Sequence, residues 1–444
     1  MRFRLPAGTG LGRDGRTTPL RTNFMWILMG RGVQAASQWG IVIVLAKLGS
    51  AEMVGRYALA LAVSAPVILF FELKLRDVQA SDANDRHHFR DYFSLRSLAV
   101  VLALLLIAGL ALSSGYSRQA IAVIVAVGFC KAVESISDIL FGLMQKHEKM
   151  QYIAASLMLK GVLSLGALTL ILYLFHNMLW AVGAMFGAYV VVLLAFDLRN
   201  ARLLSTVGHS GTRTGNLQPW YQWQELRSLA QLALPLGLGA ALSSLTLNVP
   251  RYLLARYHGE TALGYFAAVS YLPFAGTLAI EAMGQSALPR LARYFGEDLP
   301  AYRRLLSKLL GLGTALGLCG ILFAVLLGPS FLLLAYRPEY ARYSGVLTWM
   351  MVAGCMLYLC SIVGIGLTAA RALKVQMHIA MAVFASSVLA ALWLVPAYAE
   401  RGAAWSFLIG CAVWFVLDAA ATFQVMAGSA AVHTETLSVP SKVG

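Results

Sequence analysis

The sequence predicts an all-α integral membrane protein of about twelve transmembrane helices in two parallel six-helix bundles, and three observations carry that reading. Of 444 residues, 59% are apolar and only 12% are charged, far from the roughly 45–50% and 25% of an average soluble domain. Apolar runs long enough to cross the bilayer recur along the whole chain, each needing about 20 residues for a hydrocarbon core about 30 Å thick. Lys and Arg sit in the gaps between runs and favour one side of the membrane about threefold, the side that stays cytosolic.

In order, the first span, 24–46, follows a basic, Gly/Pro-rich tail over residues 1–21, and is too long and too polar on one face for a cleaved signal peptide. Spans 55–73 and 95–113 are divided by a stretch holding Lys74, Arg76, Arg86 and Arg90, and Arg96, at the very start of the third span, counts with them on the cytosolic side. Spans 119–143 and 150–175 are divided by Lys146 and Lys149, and the sixth is 178–197. The longest internal connection comes next, so residues 22–198 read as one bundle, 199–227 as a cytosolic linker and 228–426 as the second bundle. Trp220, Tyr221 and Trp223 beside Glu225 and Arg227 look like an anchor in the inner headgroup zone. The seventh span, 228–250, holds Pro235, Gly237 and Gly239, which neighbouring helices can accommodate. The remaining spans fall at 262–286, 305–327, 345–368, 376–397 and 402–426, and a small, polar tail covers 427–444. Both tails are expected to be disordered and cytosolic.

Six spans per half give both halves the same orientation, so any internal repeat would be parallel. Residues 45–58 (LAKLGSAEMVGRYA) and 254–267 (LARYHGETALGYFA) fall at matching places in the two halves. Leu45, Ala46, Gly55 and Ala58 meet identical residues, while Lys47, Val54 and Tyr57 meet Arg256, Leu263 and Phe266.

Ionisable groups inside spans cost about 2.5–3.5 kcal/mol each on insertion scales and mark candidate sites. Arg31, Gln34 and Gln38 share one face of the first span. Lys131, Glu134, Ser135 and Asp138 form a stripe on the fourth, with Lys131 and Glu134 close enough to pair, and Lys160 lies near the middle of the fifth. Ser244, Asn248 and Arg251 share a face of the seventh span, where Arg251 is near the outer end and free to snorkel. Thr277, Glu281 and Gln285 share a face of the eighth, and Asp418 lies in the twelfth. The bland alternative is a set of internal salt bridges that hold the bundle together. The functional one makes Arg31, Gln34, Gln38, Lys131 and Lys160 substrate-binding, and Glu134, Asp138 and Glu281 ion-coupling, since buried carboxylates can cycle a proton.

No phosphate-binding loop, H-E-x-x-H or G-x-S-x-G motif occurs, so enzymatic activity is not expected. Cys130, Cys319, Cys355, Cys360 and Cys411 fall in apolar stretches without ligand-like spacing, so no metal or other cofactor is expected. The net charge of +15 is spread through the connections rather than gathered in one patch, which speaks against nucleic acid as a partner.

The stretches LAKLGSAEMVGRYALALA, ELKLRDVQASDA, KAVESISDILFGLMQKHEKM and NVPRYLLARYHGETALGYFAAVSYLP resemble the oligosaccharide flippases of bacterial surface-polysaccharide synthesis. That family belongs to the superfamily that also holds multidrug and toxic-compound extrusion transporters, and the likeness covers about residues 22–426. It implies two bundles rocking about a central cavity in the bacterial inner membrane, moving a polyprenyl-diphosphate-linked oligosaccharide outward for lipopolysaccharide, capsule or exopolysaccharide assembly. Membrane lipids, a polysaccharide polymerase and chain-length machinery are the further partners it implies. The alternatives are a cation-coupled drug exporter of the same superfamily and a membrane-embedded glycosyltransferase or ligase. The first resembles its relatives in carrying carboxylates in the first or seventh span, where this chain has Arg31 and no acid, and the second needs an extended outer loop that this chain lacks.

Overall fold

A computed structural model describes residues 20–81, 87–205, 222–370 and 372–438. Every regular element among them is a helix. In chain order these are α1 (Leu20–Leu48), α2 (Ala51–Glu72), α3 (Leu75–Ser81), α4 (Phe89–Ser113), α5 (Arg118–Lys146), α6 (Met150–Phe175), α7 (Met178–Val192) and α8 (Leu198–Ser205). They continue with α9 (Trp223–Glu297), α10 (Leu299–Ala335), α11 (Ser344–Ala369) and α12 (Leu373–Ser438). A π-helical turn, Leu193–Asp197, joins α7 to α8, and a 3-10 turn, Pro338–Tyr343, precedes α11.

Short polar residues start the helices where the sequence turns from one apolar run to the next. Ser50 Oγ accepts from the Met53 amide at 3.3 Å, Ser117 Oγ from Ala120 at 3.1 Å, and Asn177 Oδ1 from Leu179 at 2.9 Å. Each satisfies an amide that the first helical turn leaves without a partner. His88 and Asp91 form a capping box that starts α4 two turns before Arg96, with the Asp91 carboxylate accepting from the His88 amide at 2.9 Å.

Nine of the described helices are long and apolar enough to cross a membrane. At 75 residues α9 would run to about 110 Å if straight, but it breaks at Gly259, whose φ of 81° suits a residue without a Cβ. The 66-residue α12 breaks likewise at Ala399. The two arms of α9 correspond to the seventh and eighth expected spans, and those of α12 to the last two. Helix α1 is absent from the nine because the polar face of Arg31, Gln34 and Gln38 lowers its hydropathy. Helix α12 continues to Ser438, past the start of the expected tail at 427, and Trp220 and Tyr221 of the expected anchor lie outside the described residues.

The main core is apolar throughout and draws on α1, α2, α5, α7, both arms of α9, α10 and α11. Leu105, Leu112, Trp180, Leu326 and Trp393 point outward, as side chains facing lipid should.

Candidate functional site

On the face where α1 begins, a cavity of about 1070 Å³ is lined by α1, the ends of α2 and α5, α3, the start of α6 and both arms of α9. A smaller chamber of about 360 Å³ lies deeper and shares Arg31, Glu72, Arg76 and Asp138 with it. This inner chamber gathers Gln34, Gln38, Glu134 and Lys160 as well. Six of the eight expected site residues therefore meet around one space. Lys131 lines an adjoining lobe beyond Gln38, and Glu281 reaches the site through Arg31.

The charges divide by how firmly they are held. Lys131 Nζ donates to Glu134 Oε2 at 2.6 Å, one helical turn along α5. Lys160 Nζ donates to Asp197 Oδ2 at 2.7 Å, with the two side chains only 2% and 0% exposed, and also lies 5.1 Å from the centre of the Phe141 ring. Asp197 is the last residue of the π-helical turn, a local irregularity of the kind often found at functional sites. Asp138 is held between Arg76 at 3.2 Å and Arg96 at 3.4 Å. Arg96 is 0% exposed and also donates to Ser135 Oγ at 3.0 Å, with Glu72 at 3.8 Å. A buried cation of this kind is tolerable only because several partners surround it.

Arg31 differs from the rest. Its contact with Glu281 is 3.6 Å long, and the two side chains are 44% and 53% exposed. An exposed pair at that distance is worth about 0–1 kcal/mol, so the guanidinium is free to exchange Glu281 for an anion in the cavity. Glu134 Oε1 and Asp197 Oδ1 are buried with no hydrogen-bond partner among the described residues, which leaves each carboxylate one oxygen able to take a proton or a cation.

On the opposite face the helices close together. Arg56 pairs with Glu52 on its own helix and donates from Nε to Glu260 of α9 at 2.5 Å, while Ser117 Oγ donates to the same carboxylate at 2.9 Å. Lys47 Nζ donates to the Leu334 carbonyl at 2.7 Å, Arg337 to the Lys47 carbonyl at 2.9 Å, and Trp39 Nε1 to Tyr336 Oη at 2.9 Å. The cavity is thus open where α1 begins and shut where it ends.

Sequence reasoning missed Glu72, Arg76, Arg96 and Asp197 as members of the site, and placed Arg251 among snorkelling side chains. Arg251 instead faces an inner chamber with Asn248 and Tyr271. The capping-box residues His88 and Asp91 were the available signal for Arg96, because a helix starting there carries Arg96 into the bundle.

Residues 20–295 match the family described as "Polysaccharide biosynthesis protein". The capsular polysaccharide biosynthesis protein CapF of Staphylococcus aureus is 25% identical over 390 residues, covering 87% of this chain and 95% of that protein. Among solved structures, the inward-facing conformation of a multidrug resistance MATE family transporter of the MOP superfamily aligns with a TM-score of 0.62 at 12% identity, over 95% of this chain and 97% of the other. A MOP superfamily transporter from Pyrococcus furiosus, for which a reversed polarity of the binding pocket has been taken to suggest a different function, aligns with a TM-score of 0.58 at 14% identity, over 91% and 95%. At these identities the structural likeness speaks to the fold alone.

Proposed function

This chain belongs to the polysaccharide biosynthesis protein family, and from that premise we propose that it flips a polyprenyl-diphosphate-linked oligosaccharide across the bacterial cytoplasmic membrane. The chain acts by alternating access and carries out no covalent chemistry of its own. Its twelve crossings form two six-helix bundles, residues 22–198 and 228–426, with both termini cytosolic, so that the open cavity faces the cytosol. The relation to CapF, a capsular polysaccharide biosynthesis protein, supports a surface polysaccharide as the product.

The observation that carries this reading is Arg31: a half-exposed guanidinium, loosely paired, where the outer cavity meets the inner chamber. A diphosphate with about two negative charges, about 6 Å from one cation at an effective dielectric near 20, gains roughly 5 kcal/mol before desolvation. That draws the headgroup in, and desolvation returns enough of the gain for release. Gln34 and Gln38 supply hydrogen bonds along the same face. Lys131 and Lys160 act as a second layer that releases its carboxylates only when the anion arrives. Glu134, Asp138 and Glu281 are the residues through which an ion gradient would couple to transport.

Inactivating the gene in its host tests the reading. Lipid-linked units should accumulate on the cytosolic leaflet while the surface polymer disappears; loss of polymer without accumulation would place the defect at another step.

A further inference from the structure

Beyond Gln38 the space continues into a chamber of two lobes, about 220 and 210 Å³. Tyr57 of α2 and Asn248, Arg251 and Tyr271 of α9 line both lobes. At about 30 Å³ per water, each lobe has room for roughly seven waters, about the volume of one sugar ring. The walls come from both halves of the chain, α1, α2, α5 and α7 on one side and both arms of α9 on the other, so the chamber lies on the seam that opens and closes during transport.

Arg31, Arg56, Arg76, Arg96, Lys131 and Lys160 each have a carboxylate within 4.0 Å. Arg251 has none among the described residues. Its Nη1 donates to Asn248 Oδ1 at 3.1 Å, and its guanidinium carbon lies 5.8 Å from the centre of the Phe274 ring. Its remaining donors, a planar fork suited to carboxylate, have no hydrogen-bond partner among the described residues, and the side chain lines both lobes. Tyr57 and Tyr271 contribute hydroxyls that hydrogen-bond to no other described residue. Lys131 lines one lobe but is neutralised by Glu134, which leaves Arg251 as the uncompensated charge there. A single positive charge among phenols and amides, in a space the size of one ring, suits a singly charged sugar acid. The doubly charged diphosphate is better matched by the wider cavity at Arg31.

Resting on the flippase reading, we propose that Arg251 binds the carboxylate of an acidic sugar in the oligosaccharide, so that the chain selects repeat units bearing a uronate.

The full chain is reconstituted in vesicles with two substrates on the same polyprenyl diphosphate carrier, one bearing glucuronyl-glucose and the other glucosyl-glucose. The acidic unit should cross about tenfold faster, the gain expected from one charge-assisted hydrogen-bonded pair. Arg251→Gln should bring the ratio of the two rates close to one, and Arg251→Lys should keep most of it. The ratio does not depend on how much variant folds. Equal rates in the unaltered chain overturn the proposal. So does a ratio that survives Arg251→Gln with both rates slowed alike, which would assign Arg251 to the diphosphate or to the fold. If neither unit crosses, the flippase reading fails and takes this inference with it.

Discussion

Gly55 and Gly264 face each other where α2 meets the second arm of α9, the amide of each lying 3.0–3.1 Å from where the other's Cβ would go. A Cβ on Gly55 would strike the Glu260 carbonyl and approach the Gly264 amide; one on Gly264 would strike the Ala51 carbonyl and approach the Gly55 amide. Small residues spaced four apart let helix backbones approach this closely. The contact is reciprocal: Gly55 meets Gly264 in the alignment of residues 45–58 with 254–267, and Ala51 meets Glu260. The one weak repeat in the sequence is thus a symmetric contact across the closed face, beside the Arg56 to Glu260 bond.

Gly55→Ala should therefore cost stability, by about 1–3 kcal/mol for overpacking against backbone that cannot yield. Gly109→Ala, in α4 with nothing within 4 Å of an added Cβ, should be neutral or slightly stabilising. Thermal unfolding of the two purified variants separates them, and equal midpoints would mean that the α2 to α9 contact is looser than described.

Lys160 and Asp197 offer a test of structural against functional charge. Lys160→Met leaves a buried carboxylate unpaired and should cost about 3–5 kcal/mol, whereas Lys160→Met with Asp197→Leu removes both charges and should restore folding. If Lys160 also meets substrate, the double variant will reach the membrane in normal amount and export poorly. Full export by the double variant would confine Lys160 to a structural role.

For Arg31 the expected outcome is the reverse. Arg31→Ala breaks only an exposed pair worth about 0–1 kcal/mol, so folded protein in the membrane should be near normal while polysaccharide export falls at least tenfold. Glu281→Gln should keep binding, and if Glu281 couples an ion, should lose dependence on pH or sodium. Export that declines only in step with protein level would make Arg31 structural.

Topology can be read independently. Reporter fusions after Ser205 and after Ala430 should both signal the cytosol, because twelve crossings return each to the side of the basic connections. An extracytoplasmic signal at either point would remove the two-bundle arrangement.

What the sequence disclosed about the site follows from how far apart the partners lie in the chain. The face of Arg31, Gln34 and Gln38 and the Lys131 to Glu134 bond are set by helical periodicity alone, and both were legible. The partners of Lys160, Arg96 and Arg31 are Asp197, Asp138 and Glu281, each on another helix, and nothing local specifies which helices will touch. Arg96 reads as the edge of a cytosolic connection because the charged start of α4 hides its first two turns from a hydropathy window, although His88 and Asp91 mark the true start. Depth counted along a straight span puts Arg251 at the outer interface. Packing against Phe274 and Asn248 turns it inward instead.

A cavity that admits an anionic lipid-linked oligosaccharide should tell that cargo from a cation. The most direct measurement follows a fluorescent polyprenyl-diphosphate oligosaccharide in vesicles containing the full chain, alongside a cationic dye of the kind a drug exporter moves. The oligosaccharide should reach the opposite leaflet at a rate that falls at least tenfold in Arg31→Ala, while the dye does not move. Transport of the dye, with the oligosaccharide left where it started, would contradict it.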